Sequence, residues 1–435
     1  MSRLGRLAQL GGLTGRVTGS YLGNRLRDAF SSDDDRAVSR DRLNLENARA
    51  IVETVSRMKG AAMKLGQQLA VAGAALDLPE DVMAILGKLH SDGEPVPFDI
   101  IRDDVEKSLG APLPKLFRDF DPKPLGSASL GQAHAARLKD GADVVVKVLH
   151  RGVEHSVGTD LMALKAVLVS GRMLRRPKEE VDEIFDEIRV RLEEELDYLQ
   201  EAANIQAYQE AFAGDDRVRI PRIHHALCTE RVLTMDRLPG KHLGAWLPTA
   251  TPEARQRAAD TLAHFYYTQL FRLRMLHADP HPGNYLFEDD GRLGILDFGC
   301  VKRFDPYWMA SYAEAALATQ IDDKERCMAA TAQMGSWDGV HREDGELVWE
   351  FCCAVGRGHK LGPVVLGQGE QLMEEALPVL QRLLRNPRVR MPRDVIYTHR
   401  TLGGMYSLAR QLGARVDYGA VLMTHVNAAI DAGRG

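Results

Sequence analysis

Residues 277–284 read His277-Ala278-Asp279-Pro280-His281-Pro282-Gly283-Asn284, and residues 296–299 read Leu296-Asp297-Phe298-Gly299. Asp279 and Asn284 are five residues apart, and Asn284 precedes Asp297 by 13. Pro280, Pro282 and Gly283 exclude a regular helix at this spot, because proline removes a donor and clashes with the preceding turn. Carboxylate and amide oxygens presented from loops suit a hard cation such as Mg²⁺. A competing reading takes His277 and His281 as zinc ligands, since an i,i+4 pair on one helix face can hold that metal. The prolines deny them that helix, and no general-base Glu lies between them. Bracing of the loop is the better role for both histidines.

Upstream, Val144-Val145-Val146-Lys147-Val148 is a β-branched run broken by one lysine. A buried ammonium is costly unless it is paired or liganded; the alternative is a strand-end lysine that snorkels to water. Lys139-Asp140-Gly141 supplies a hairpin turn before that strand, and small residues fill Gly126-Ser127-Ala128-Ser129-Leu130-Gly131. A β-lobe therefore begins near Leu125. Glu179 to Phe212 reads as one long charged helix, with Val181, Ile184, Ile188, Leu192, Leu196, Leu199 and Ala203 as its buried stripe. Glu201 is the best partner for Lys147, with Asp197 four residues earlier on the same face. Glu195 lies about 200° around a straight helix from Asp197, so the two carboxylates of Glu195-Leu196-Asp197 cannot do the same job there. The alternative for all three is a solvated acidic face. Arg231 to Met235 forms a short strand, Pro239-Gly240 a turn, and from Trp246 the pattern is mainly helical except around 277–300.

The N-terminal region has two parts. Arg3, Arg6, Arg16, Arg25 and Arg27 precede the first acidic residue, Asp28, while Leu4, Leu7, Leu10, Leu13 and Val17 recur at helical spacing. Such a basic amphipathic segment lies on an anionic membrane or a partner, serves as an organelle transit segment, or is a solvated terminus. From Ala48, apolar residues at Ile51, Val55, Met58, Ala62, Leu65 and Leu69 step by three and four, which predicts an amphipathic helix. Lys64 and Gln67 flank its seam, and Gly66 between them costs roughly 1 kcal/mol relative to Ala, which points to close approach by another element. The alternative is an ordinary helix with polar flanks.

Composition sets the outer bounds. The 435 residues are 45% hydrophobic and 27% charged with a net charge of −5, which argues against disorder and against a chain-wide nucleic-acid role. No run approaches the ~20 apolar residues of a membrane-spanning helix. Cys228, Cys300, Cys327, Cys352 and Cys353 include no Cys-x-x-Cys pair, so they predict buried thiols in a reducing compartment.

A strand lysine, an Asp-x-x-x-x-Asn loop and an Asp-Phe-Gly turn, in that order, are the catalytic parts of protein kinases. With these residues in place the sequence resembles the UbiB family of atypical kinases, which includes the bacterial AarF-type proteins and the mitochondrial AarF-domain (ADCK-type) kinases tied to coenzyme Q. Lys64-Leu65-Gly66-Gln67 looks like the family's Lys-x-Gly-Gln motif, and Gly126-Ser127-Ala128-Ser129 like its alanine-rich nucleotide loop, with Gly126-Ser127 where the coenzyme Q branch often has alanines. Glu195-Leu196-Asp197 is similar to its Glu-x-Asp motif. Arg6 to Leu13 resembles the branch's membrane-proximal segment, and His399-Arg400-Thr401-Leu402-Gly403-Gly404 its C-terminal lobe.

The resemblance implies an α+β, two-lobed protein-kinase-like fold with a helical N-terminal extension. It implies a basic segment and linker over 1–40, the extension over 41–118, an N-lobe with inserted helices over 119–238 and a helical C-lobe over 239–435. Implied cofactors are ATP and Mg²⁺. Gly126, Ser127, Ala128, Ser129, Lys147 and Met235 would contact nucleotide, Asn284 and Asp297 would hold the metal, and Asp279, Lys147 and Glu201 would be catalytic. Lys64, Gly66, Gln67, Glu195 and Asp197 would be regulatory, the Lys-x-Gly-Gln helix lying where a peptide substrate would bind. The implied role is an ATPase supporting ubiquinone or related isoprenoid-lipid biosynthesis. Its partners would be an anionic membrane surface and pathway enzymes, and its place the cytoplasmic membrane face, or mitochondria if the N-terminus is a transit segment. A lipid or small-molecule kinase and a nucleotide-gated scaffold are the rivals.

Each basic residue near an anionic surface contributes roughly 1 kcal/mol of attraction. Deleting residues 1–27 is expected to weaken co-flotation with cardiolipin-containing liposomes, and added salt to weaken the intact chain in the same way. Equal flotation of both forms would make the segment a solvated terminus.

Overall fold

The computed structural model describes residues 95–127, 130–170, 178–366 and 372–433, with Gly12, Gly19 and Glu46 before them. The expected helix of residues 48–69, with Lys64, Gly66 and Gln67, lies outside the described residues, as do Ala128 and Ser129. The chain divides into two compact units. One takes the described chain through Ala203 and adds Ile223–Arg237; the other comprises Asn204–Arg222 and Leu238–Gly435.

In the first unit, α1 (Phe98–Leu109) carries Asp99 in its first turn and Lys107 in its last, both matched to the helix dipole, and stops at Gly110 in the left-handed region (φ 72°). The short α2 (Leu113–Leu116) follows. Then come β1 (Asp119–Ser127), β2 (Gly131–Arg137), β3 (Asp143–Leu149) and, beyond β4 (Val218–Arg219) of the other unit, β5 (Val232–Asp236). They form one antiparallel sheet in the order β1-β2-β3-β5. Lys139-Asp140-Gly141 makes the β2–β3 turn, with Gly141 at φ 93°. β1 is an edge strand, where Pro122 and Pro124 are tolerated, and its register slips on either side of Pro124.

Period-two alternation assigns each face of the sheet. Val144, Val146 and Val148 pack with Ile101, Val105, Leu113 and Phe117 of the α1–α2 segment. The C-terminal end of the expected helical extension thus shares a core with the sheet. Val145 and Lys147 point to the opposite face.

The single helix expected over 179–212 is two helices, α4 (Lys178–Glu194) and α5 (Tyr198–Ala211), after α3 (Val153–Ser170). The break falls on Glu195-Leu196-Asp197. There Asp197 caps α5, its Oδ1 accepting the N–H groups of Leu199 (2.9 Å) and Gln200 (3.2 Å). The interruption resets the helical phase. Val181, Ile188 and Leu192 are buried as expected, but Leu199 and Ala203 face solvent while Ala202, Ile205 and Tyr208 are buried instead.

The second unit begins within α5 and is mostly helical. After α6 (Leu243–Trp246), α7 (Pro252–Tyr267) runs into a π-helical turn at Thr268–Leu273, which Arg274 ends in the left-handed region (φ 53°). Four short strands follow: β6 (Met275–His277), β7 (Tyr285–Phe287), β8 (Leu293–Ile295) and β9 (Val301–Arg303). β6 pairs with β9, and β8 joins β7 to β4. Beyond them lie α8 (Pro306–Gln320), α9 (Lys324–Gln333), α10 (Arg342–Lys360), β10 (Val364–Val365), α11 (Leu372–Arg385), α12 (Arg393–Leu412), β11 (Arg415–Val416) and α13 (Tyr418–Gly433). All five cysteines are free thiols, with Cys327 buried and the other four half-buried. Among the described residues no helix is long and apolar enough to cross a membrane.

His359 of α10 and His399 of α12 line an apolar cavity with Tyr266, Tyr312 and Phe351. Burial lowers both imidazoles to a pKa of about 4. Both are neutral in the folded unit, whereas the unfolded chain takes up protons as pH falls below the ordinary value near 6.5. The unfolded state therefore binds more protons between about pH 6.5 and 4, so stability rises with pH across that window and levels off above it. At pH 5 the loss is roughly 2 kcal/mol per histidine. Melting temperature is expected to fall as pH drops from 6.5 to 5, and His399→Phe to flatten part of that slope; a slope unchanged in the variant would contradict this.

Candidate active site

The sheet places Lys147 where a charge can be held. Its Nζ lies 2.6 Å from Glu201 Oε1 and 2.9 Å from Oε2. The lysine side chain is 17% exposed and the glutamate 3%, so the pair is largely withdrawn from water. The ammonium also stands 5.4 Å from the centre of the Tyr198 ring, a cation–π contact at the start of α5. Directly opposed residues of an antiparallel sheet share a face. Ala133 and the Gly126 opposite it, together with Val145, Leu233 and Met235, therefore lie on the Lys147 face. Ser127, paired with Gln132, belongs to the other face, and its buried hydroxyl has no hydrogen-bond partner among the described residues. Glu195 is half-buried at the α4–α5 break, and the Asp197 carboxylate is committed to its cap.

The second unit gathers Asp279, Asn284 and Asp297. β6 and β9 pair through His277 and Val301, and the Ala278 N–H donates to Cys300 O at 2.9 Å, so the chain leaves both strands at defined points. The loop then makes a 3₁₀ turn at Pro282–Asn284, capped by His281, whose Nδ1 accepts the Gly283 N–H at 3.1 Å. Asn284 Nδ2 donates to Asp279 O (3.0 Å) and Asp279 Oδ2 (3.2 Å). Leu296 N–H donates to Asn284 O at 3.0 Å, which ties the loop to the strand before Asp297. Asp297 Oδ1 accepts the Gly299 N–H at 2.9 Å and so shapes its own turn. His277 Nε2 bonds to Asp297 O; since a carbonyl only accepts, that nitrogen carries the proton. Both histidines brace the loop, and among the described residues no group of three or more His, Cys, Asp or Glu side chains is placed to hold a metal ion.

Several residues that sequence reasoning passed over hold this arrangement. Asn204 Nδ2 donates to Phe298 O at 3.0 Å, and its Oδ1 accepts from Arg303 at 3.0 Å. Gln269 Oε1 accepts both the Tyr208 hydroxyl (2.8 Å) and the His277 N–H (2.9 Å). Phe298 is wedged edge-on between Tyr208 and His277, with centroids at 4.9 and 5.6 Å. Burial and the nearby Asp279 charge push the Tyr285 phenol upward, so it stays neutral. Gln269 sits in the π-helical turn, a device that often marks functional positions. The available sequence signal was a set of polar side chains on otherwise buried helical positions.

A model of the ABC1 atypical kinase-like domain matches residues 88–331, more than half of the chain and all of this machinery. The chain belongs to this family. The UbiB/AarF resemblance of its motifs and the ABC1 match name the same group of atypical kinases. Among its relatives, the nematode (Caenorhabditis elegans) atypical kinase coq-8, mitochondrial, is 27% identical over 97% of this chain and 57% of its own length. This ABC1 kinase therefore spans little more than half of that protein. The yeast (Saccharomyces cerevisiae) atypical kinase COQ8, mitochondrial, is 24% identical over 86% of this chain and 75% of its own. The mouse (Mus musculus) AarF domain-containing protein kinase 1 is 27% identical over 92% and 77%. The solved structure of the Rv3197–erythromycin complex from Mycobacterium tuberculosis shares the fold, with a TM-score of 0.60 and 23% identity over 90% of this chain and 97% of that one.

Removing one member of a withdrawn ion pair strands the other. Glu201→Ala is expected to cost roughly 3 kcal/mol in urea unfolding, and the Lys147→Met, Glu201→Met double variant to recover most of that loss. Wild-type stability in Glu201→Ala would show that the pair does not constrain the fold.

Proposed function

We propose that the chain binds ATP with Mg²⁺ and hydrolyses it, in support of ubiquinone or related isoprenoid-lipid biosynthesis at a membrane. The observation that carries this reading is the loop in which Asn284 clamps Asp279 by two hydrogen bonds, five residues away, while remaining tied to the strand before Asp297. Lys147, oriented by Glu201, engages the α- and β-phosphates. Gly126 to Ser129 cover them, and Met235 lies against the base. Family membership and the mitochondrial COQ8 names of two relatives support the lipid-pathway role. The basic segment before Asp28 supports attachment to an anionic surface.

The residues present fit Mg²⁺. Both Asn284 amide hydrogen bonds use Nδ2, which leaves the carbonyl Oδ1 as a donor to a cation. Together with the Asp297 carboxylate this is an all-oxygen set of the kind Mg²⁺ shares with substrate phosphates. When bound, the ion neutralises charge on the transferring phosphoryl group. The chain's own residues do the rest. Asp279 accepts a hydrogen bond from the attacking water or hydroxyl, and the Asn284 N–H···O bond keeps its carboxylate from turning away. Lys147 binds phosphate oxygens, and Glu201 keeps its ammonium aimed. Intact Asp279, Asn284 and Asp297 weigh against a scaffold without turnover.

Asp297→Asn tests this. The amide retains an oxygen to accept the Gly299 N–H, so the turn survives while the negative charge is lost. Steady-state ATP hydrolysis is expected to fall by roughly 100-fold or more, with melting temperature nearly unchanged. Wild-type turnover in the purified variant would overturn the reading.

A further inference from the structure

α12 meets the catalytic loop on both sides of Asp279. Arg400 Nη2 donates to Ala278 O at 2.8 Å, the short distance of a charge-assisted bond. That carbonyl belongs to the peptide leading into Asp279, and the peptide before it is held as well, because Ala278 N–H donates to Cys300 O. On the far side of Asp279, Pro280 packs on bare backbone at Gly404. A Cβ there would lie 2.7 Å from Pro280 Cβ and closer still to its Cγ. The guanidinium is itself oriented, with Arg400 Cζ 5.3 Å from the centre of the Tyr397 ring and Lys302 Nζ 5.7 Å from that same ring. Lys302, on the strand after Asp297-Phe298-Gly299, also pairs with Asp394 at 2.7 Å. One helix thus backs both the Asp279 loop and the strand that follows Asp297.

The helix carries an internal comparison. Gly403 and Gly404 are adjacent and both mid-helix, where each glycine lowers helix stability relative to Ala. Among the described residues a Cβ at Gly403 meets nothing within 4 Å, whereas one at Gly404 meets the proline ring. Helix propensity treats the two alike, and only the loop distinguishes them. Carbon–carbon contact is comfortable near ~3.5 Å, so a methyl group at 404 requires the loop to retreat by roughly 1 Å. A misplacement of about 1 Å at a reacting centre can cost on the order of 100-fold in rate.

We propose that Arg400 and Gly404 are positioning residues that hold Asp279 in its working geometry by clamping Ala278 and Pro280 against α12. This rests on the proposed phosphoryl chemistry for its effect on rate, but not for its effect on the loop. Two readouts therefore apply to the full-length chain: ATP turnover, and amide hydrogen exchange of peptides covering residues 277–285. Gly403→Ala is expected to keep kcat within about twofold and to leave exchange unchanged. Gly404→Ala is expected to lower kcat by roughly 10- to 100-fold with KM for ATP within about threefold, and to speed exchange of the loop. Adding Pro280→Ala to Gly404→Ala removes the nearest clash, that with Cγ, while the Cβ contact remains, and is expected to regain part of the loss. Arg400→Met, which adds no bulk, is expected to lower kcat by about tenfold with faster loop exchange, and it decides the matter if Gly404→Ala does not fold. Turnover and exchange in folded Gly404→Ala or Arg400→Met equal to those of Gly403→Ala would overturn the proposal, as would a Gly404→Ala defect that Pro280→Ala leaves untouched. A wild-type chain without ATP turnover would sink the proposed chemistry instead, and the exchange comparison alone would then decide the clamp.

Discussion

A lysine in the middle of a valine-rich strand is tolerable only because a carboxylate reaches it. Lys147 cannot face the valine core of its own sheet, so pleating turns it to the other side, where Glu201 meets it with both oxygens. That meeting constrains the surrounding chain. Glu201 must sit in the first turn of a helix that starts at the right place, and Asp197 fixes the start by capping it. Tyr198, the first residue of that helix, lays its ring near the same ammonium, and its own N–H donates to Glu230 O just before β5. A charge that must not be left alone thus dictates where α4 ends, where α5 begins and which residue of β5's approach receives it.

The second unit solves a different problem, the rigid presentation of two carboxylates from irregular backbone. The loop's own bonds, Asn284 to Asp279 and the His281 cap, supply part of the rigidity. The rest comes from amides and rings brought in from elsewhere: Asn204 and Gln269 from helices, Phe298 wedged between Tyr208 and His277, and α12 behind. None of these side chains has any chemistry to perform. They determine the orientation of peptide groups, and peptide orientation determines where Asp279 and Asp297 point.

The parts of this arrangement that the sequence displays are the ones whose chemistry is unusual for their surroundings. A lysine between valines, prolines around an Asp and an Asn, and an Asp-Phe-Gly after an apolar strand all stand out; Lys147 lies on β3, and the other two follow β6 and β8. The α4–α5 break did not stand out, because apolar residues keep helical spacing straight through it. The competing signal was present as Asp197-Tyr198-Leu199-Gln200, the Asp-x-x-Gln pattern of a helix start. Local capping outweighed the stripe, and the phase change that followed turned Leu199 and Ala203 outward. Edge strand β1 was equally hidden, since two prolines in nine residues argue against a strand except at a sheet's border. Gly404 could not have been distinguished from Gly403 without coordinates, because the difference lies entirely in what stands opposite.

That border strand has a further consequence for the molecule's behaviour at high concentration. An uncovered sheet edge is a template on which another chain can build, strand by strand. Pro122 and Pro124 remove two amide donors within three residues of β1, and the register slips beside them bend what remains. Such an edge resists the pairing of an incoming strand. The residues that made β1 hard to recognise also make this edge of the sheet a poor template.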